Sequence, residues 1–222
     1  MRRLVFLSLF AALALGTPAT PSRAAAPARE GTVASRFTEG EKADLKRISD
    51  YLNTLKTVQG RFLQIGGNGK SEQGTLYLKK PGRVRFEYQK PNPNLIIADG
   101  TTVAVENSDL RTTDRYPLLN SPLRLLLNEN VDLSNDPRIA DVKREQGVLS
   151  VTARENSGPT MGTITLIFAD SGDAGLELRQ WEVVDAQGSR TTIVLNEMRQ
   201  VADIPARLFV IQDLSPFKSN GR

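Results

Sequence analysis

The sequence predicts an α+β fold in which one long antiparallel sheet curls into an incomplete barrel and helices cover its concave apolar face. Three observations lead there. One amphipathic helix precedes roughly a dozen short segments of period-two alternation, one short apolar helix interrupts them, and turn residues punctuate nearly every boundary. A single antiparallel sheet of that many strands must curl or close.

The chain opens Met1-Arg2-Arg3, continues as an apolar run from Leu4 to Gly16, and then turns to small residues and prolines up to Ser22-Arg23-Ala24. That order is the pattern of a secretory signal. The run is too short for a transmembrane helix, which needs about 20 apolar residues. Cleavage is expected after Ala24, so residues 1–24 are a signal peptide. Residues 25–37, rich in Ala, Pro, Gly and Ser, are expected to form a disordered leader ahead of a folded domain from 38 to 222.

Loss of Arg2, Arg3 and Arg23 takes the formal charge from +4 to +1, which removes the electrostatic case for a nucleic-acid partner. The 222 residues include no Cys and no His. Disulfides, thiol chemistry, thiolate metal sites and lipidation of an N-terminal Cys are thereby excluded. The commonest general base and metal ligand are missing too, so an enzyme could rely only on carboxylate, Lys or Tyr chemistry.

Thr38 with Glu41 three residues on reads as a capping box, and Leu45, Ile48, Leu52 and Leu55 follow at helical spacing, which predicts a helix from about Glu39 to Lys56. Strands are predicted over Val58–Ile65, Gly74–Lys80, Arg83–Gln89, Asn94–Ala98, Thr101–Glu106 and Leu110–Arg115, with turns at Gly66-Gly67-Asn68-Gly69, Pro81-Gly82, Pro91-Asn92-Pro93 and Asp99-Gly100. Ser121-Pro122 opens a short helix from Leu123 to Leu127. Further strands are predicted over Arg138–Gln146, Val148–Arg154, Met161–Ala169, Gly175–Asp185, Arg190–Met198 and Arg207–Ile211. Leu176 and Leu178 alternate, but the next apolar pair is Trp181 and Val183. That one-residue slip near Arg179-Gln180 predicts a bulge that bends the strand.

Two neighbouring strands carry the functional signal. Alternation puts Leu76, Leu78 and Lys80 on one face of the first, and Val84, Phe86 and Tyr88 on one face of the second. If those faces coincide, Lys80 points inward, and its ammonium must either snorkel to the rim or bond backbone carbonyls nearby.

The run from Gly74 to Tyr88, the later Pro93-Asn94-Leu95-Ile96-Ile97-Ala98-Asp99-Gly100, and Ser121-Pro122-Leu123 resemble the LolA family of periplasmic outer-membrane lipoprotein carriers. These features occur in the family's order over nearly the whole chain after the signal. The resemblance implies an incomplete antiparallel barrel with a helical lid over an apolar cavity, a periplasmic monomer, and no catalytic residue, metal or cofactor. It implies triacylated outer-membrane lipoproteins as cargo and an inner-membrane lipoprotein-releasing transporter as their donor. It leaves open whether a separate outer-membrane receptor accepts the cargo or this protein inserts it.

The resemblance also names residues. Leu76, Leu78, Val84, Phe86 and Tyr88 would line the acyl-chain site, and Leu123, Leu126 and Leu127 would face it from the lid. The family's Arg before the motif proline is Lys80 here, so Lys80 would latch the lid through carbonyls near Leu126 and Leu127, as a point charge without Arg's planar fork. Physical chemistry makes such a carrier necessary. Exposing one acyl chain of about 16 carbons to water costs on the order of 13 kcal/mol, at about 0.8 kcal/mol per methylene.

Two other classes compete. A lipid-sensing or adaptor domain could use the same half-barrel. A secreted hydrolase would need carboxylates such as Asp99, Glu106 and Asp114, but Asp99-Gly100 reads better as a hairpin turn and the other two as surface.

Overall fold

The computed structural model describes residues 36–121, 123–155, 162–172 and 175–214. The expected signal peptide, nearly all of the expected leader, Pro122 and Met161 lie outside the described residues. Helix α1 spans Glu39–Thr54, and α2 spans Arg124–Leu127. The strands are β1 (Thr57–Ile65), β2 (Ser71–Lys79), β3 (Arg83–Tyr88), β4 (Asn94–Asp99), β5 (Thr102–Asn107), β6 (Thr112–Pro117), β7 (Ile139–Glu145), β8 (Val148–Glu155), β9 (Gly162–Asp170), β10 (Leu176–Asp185) and β11 (Arg190–Gln200).

All eleven strands form one antiparallel sheet in the order β6-β5-β4-β3-β2-β1-β11-β10-β9-β8-β7. Only β1 with β11 joins strands distant in sequence. Every other pair is a neighbour in the chain. β6 and β7 are the two edges, so the barrel stays open. At about 4.8 Å per strand a flat sheet of this kind would hold its edges far apart. Here Val103 of β5 and Val142 of β7 belong to one buried cluster with the helices, so the sheet curls around a single core.

Local sequence signals explain most of this. Thr38 caps α1: its Oγ1 accepts from the Glu41 N–H, and the Glu41 carboxylate accepts from the Thr38 N–H at 2.7 Å. Leu45, Ile48 and Leu52 are fully buried from that helix. The slip in β10 is a bulge, because Leu178 pairs with Phe168 while Gln180 pairs with Ile167, leaving Arg179 as the extra residue. Leu178 and Trp181 are consequently both buried. β2 starts earlier than alternation alone placed it, since the glycine hairpin closes tightly enough to pair Ile65 with Ser71.

One predicted strand is overturned. Arg207–Ile211 is not a strand; a 3₁₀ turn, Ala206–Phe209, opens after Pro205. The reason lies in the topology: β11 is flanked by β1 and β10, so the chain that follows it has no free edge beside it. It crosses the outer face of the sheet instead, where Ile204 and Phe209 bury against Ile97. Arg85 Nη1 donates to the Leu208 carbonyl at 3.2 Å, and Lys79 Nζ reaches Asp203 Oδ1 at 2.6 Å and the Ile204 carbonyl at 3.1 Å.

Candidate functional site

The inner face of β1, β2 and β3 is built from matched alternation. Leu76 pairs with Phe86 and Leu78 with Val84, so the two apolar faces coincide. On the other side of β2, Val58 pairs with Leu78 and Phe62 with Gly74. Leu76, Leu78, Val84, Phe86 and Tyr88 are all buried. Phe62 meets Phe86 and Tyr88 edge-on, at ring-centre distances of 5.2 and 5.1 Å, and Phe86 meets Trp181 at 6.0 Å. Edge-to-face pairs of this kind add roughly 0.5–1.5 kcal/mol each beyond burial. Phe62 and Trp181 therefore belong to this wall although neither is among the residues the sequence nominates. The signal for Phe62 is its shared phase with Val58.

Helices close this face. Leu125, Leu126 and Leu127 of α2 are buried, and Leu123 is half-buried against the same cluster. Leu125 is missing from the expected lid residues, because a four-residue helix cannot show a reliable apolar phase. The segment after α2 is pinned to α1 by two side chains. The Asn53 amide donates to the Val131 carbonyl at 2.9 Å and accepts from the Val131 N–H at 2.8 Å, and Ser49 Oγ accepts from the Leu133 N–H at 3.0 Å. At the other end of α2 the Leu127 carbonyl accepts from the Gly82 N–H at 2.9 Å. Gly82 has φ +73°, and a Cβ there would stand 2.7 Å from the Gly100 Cα, so two constraints demand glycine at this turn.

Lys80 does point inward, and it is only 9% exposed. Its ammonium donates to the Leu52 carbonyl at 2.9 Å, in the last turn of α1. This corrects the expected acceptor. The bond goes to α1 rather than to carbonyls near Leu126 and Leu127, because the Leu127 carbonyl is taken by Gly82 and the Lys80 N–H, bonded to the Lys56 carbonyl at 2.8 Å, holds this residue beside the end of α1. A cation at a helix C-terminus is also favoured by the helix dipole. Burial, helped by the nearby Lys56 charge, pushes the Lys80 pKa down to about 8.

A second set of contacts holds α1 over β7–β10. The Arg144 guanidinium pairs with Asp44, and Arg47 grips Asp170 with both terminal nitrogens at 2.9 and 3.1 Å. The Arg47 bond in particular holds the Asp170 carboxyl down at about 2. Tyr51 Oη accepts from the Leu178 N–H at 3.0 Å, next to the bulge.

The carboxylates that a hydrolase would need are not brought together. Asp99 Oδ1 accepts from the Thr101 and Thr102 N–H groups, which makes it the turn residue its sequence suggested. Asp114 is exposed, as expected of a surface residue. Glu106 is not surface: it is 4% exposed, because its Oε1 accepts from the Gln212 N–H at 2.7 Å beneath the C-terminal segment.

Among the described residues no helix is long and apolar enough to cross a membrane. The chain is 28% identical over 171 residues to an outer-membrane lipoprotein carrier protein of Dechloromonas aromatica, covering 73% of this chain and 80% of that one. It is 33% identical over 162 residues to one of Xanthomonas oryzae pv. oryzae, covering 67% and 74%. Among solved structures, an uncharacterized conserved protein from Thermus thermophilus aligns at TM-score 0.46 and 14% identity over 78% of this chain and 95% of that chain. A LolA superfamily protein from Nitrosomonas europaea aligns at TM-score 0.42 and 12% identity, over 77% and 97%. Residues 53–212 match the family model described as outer membrane lipoprotein carrier protein LolA, and the chain belongs to that family.

Proposed function

We propose that this protein carries lipoproteins across the periplasm by sheltering their acyl chains against the inner face of the half-barrel. The observation that carries the reading is a continuous apolar wall covered by helices whose ties to the turn between β2 and β3, Lys80 to Leu52 and Gly82 to Leu127, are single hydrogen bonds. Leu76, Leu78, Val84, Phe86 and Tyr88 supply the sheet side of the acyl-chain site, and Leu123, Leu126 and Leu127 the lid side. In the closed state these residues bury one another, so cargo must displace the helices. Each displaced leucine regains its apolar contact from an acyl chain, which keeps the net cost of opening small. Lys80 is the latch, acting on α1.

Residues 1–24 serve as the export signal and 25–37 as a leader, which leaves 38–222 as a monomeric periplasmic domain. Cargo comes from an inner-membrane lipoprotein-releasing transporter as triacylated lipoprotein and goes to an outer-membrane receptor or directly to the membrane. No catalytic step is required. The test is to capture the protein from periplasm and identify acylated peptides bound to it by mass spectrometry. Recovery of triacylated cargo supports the carrier. Capture of a signalling partner without acylated peptide would favour the adaptor reading. Stable membrane association after a high-salt wash would count against a soluble carrier.

A further inference from the structure

The inner face is apolar along its middle and polar at both ends. One end is the Lys80 end, where the helices gather: the Lys80 N–H bonds the Lys56 carbonyl, the Gly82 N–H bonds the Leu127 carbonyl, and the Leu118 N–H bonds the Thr101 carbonyl. At the opposite end, Gln64 of β1 and Glu72 of β2 are direct cross-strand partners on the inner face. Tyr88 of β3, opposite Gly74, completes the group. Its Oη donates to Gln64 Oε1 at 2.7 Å.

Glu72 is incompletely satisfied. Its Oε1 accepts from Lys70 Nζ at 2.7 Å, while Oε2 is buried with no hydrogen-bond partner and the side chain is only 9% exposed. A carboxylate oxygen withdrawn from water without a donor is costly to the fold, so it marks a place where a donor is wanted. The neighbouring hydroxyl does not supply it, since Tyr88 donates to Gln64. Burial, and then the Glu72 charge, raise the pKa of the Tyr88 hydroxyl, so it stays neutral beside the carboxylate.

We propose that Glu72, flanked by Gln64 and Tyr88, is a head-group subsite that accepts an N–H donor from the acylated N-terminus of the cargo. The cargo then lies with its head at this end and its chain tips toward Lys80. The proposal rests on the carrier reading. A triacylated N-terminal cysteine offers an amide N–H where its chains meet, and a diacylated one offers an α-ammonium. Either would satisfy Oε2, whereas the Lys80 end presents a donor of its own and would not welcome a second.

The experiment measures direct binding to the full mature protein of three synthetic cysteine peptides that carry the same two palmitoyl chains: one N-acetylated so that it offers an amide N–H, one with a free α-ammonium, and one in which hydrogen replaces the α-amino group. The wild-type protein is expected to bind both N–H-bearing peptides roughly tenfold more tightly than the deaminated one, the range for a hydrogen bond to a charged group. Glu72→Leu should abolish that preference while still binding the deaminated analogue. Glu72→Gln, which keeps a carbonyl acceptor in the same volume, should keep part of the amide preference and lose the extra hold on the ammonium. Equal wild-type affinity for all three peptides overturns the subsite, and so does an unchanged preference in Glu72→Leu. Failure of the wild-type protein to bind any of the three overturns the carrier reading and the subsite with it.

Discussion

Lys80 and Leu52 are joined by a 2.9 Å hydrogen bond from ammonium to carbonyl, which ties the turn between β2 and β3 to the last turn of α1. Asn53, the next residue of α1, holds Val131 in the segment that follows α2. The cover is therefore hinged on one helix: a ligand that lifts the end of α1 also loosens the α2 side.

Replacing Lys80 by Leu removes the bond to Leu52 and adds apolar surface at the end of the site. Preloaded protein should release acylated cargo to acceptor membranes about tenfold more slowly, the expected range for loss of one charge-assisted hydrogen bond that competes with cargo. Lys80→Arg should keep release near the natural rate, since its fork can still reach a carbonyl. Equal release from the Leu form and the natural protein would show that Lys80 is no latch.

Lys80 also predicts a pH dependence. Its folded pKa, about 8, lies below the unfolded value of 10.5, so the unfolded chain holds more protons between those values and stability rises with pH there. With no His and no Cys in the chain, no other side chain ordinarily titrates between about pH 7 and 9. Denaturant unfolding should show a gain of roughly 1 kcal/mol across that range, and Lys80→Met should show a flat profile. A flat profile for the natural protein would mean that its ammonium is not strained by burial.

Gly82→Ala forces a Cβ to within 2.7 Å of the Gly100 Cα at a φ of +73°. The expected cost is about 2 kcal/mol or more, read as a lower denaturation midpoint. Because the Gly82 N–H holds the Leu127 carbonyl, amides of α2 should also exchange faster than those of the β8–β9 pair.

Asn53→Ala removes both bonds to Val131 and should destabilise by about 1–3 kcal/mol by leaving that peptide unit unpaired. If the cover opens as described, binding of a polarity-sensitive dye by the folded variant should increase. Stability loss with unchanged dye binding would assign Asn53 to the core alone.

Alternation in single strands is enough to group Leu76 with Leu78 and Val84 with Phe86, because side-chain phase is a local property of an extended chain, and the pairing of β2 with β3 makes the two faces one. The capping box at Thr38 and the bulge at Arg179 are legible for the same reason: each depends on residues within a turn or two. Three features are not. The Lys80 acceptor depends on where α1 ends over the sheet, which the spacing of residues 52 and 80 does not state. The C-terminal segment has a β-like pattern but is no strand, because such a pattern becomes a strand only beside a free edge, and the order of the sheet leaves none beside β11. Glu106 and Glu72 look like ordinary surface carboxylates in the sequence, yet the first is covered by Gln212 and the second is folded inward beside Tyr88. Local pattern decided what each strand buries; only the closing of the sheet decided which polar groups were left without water.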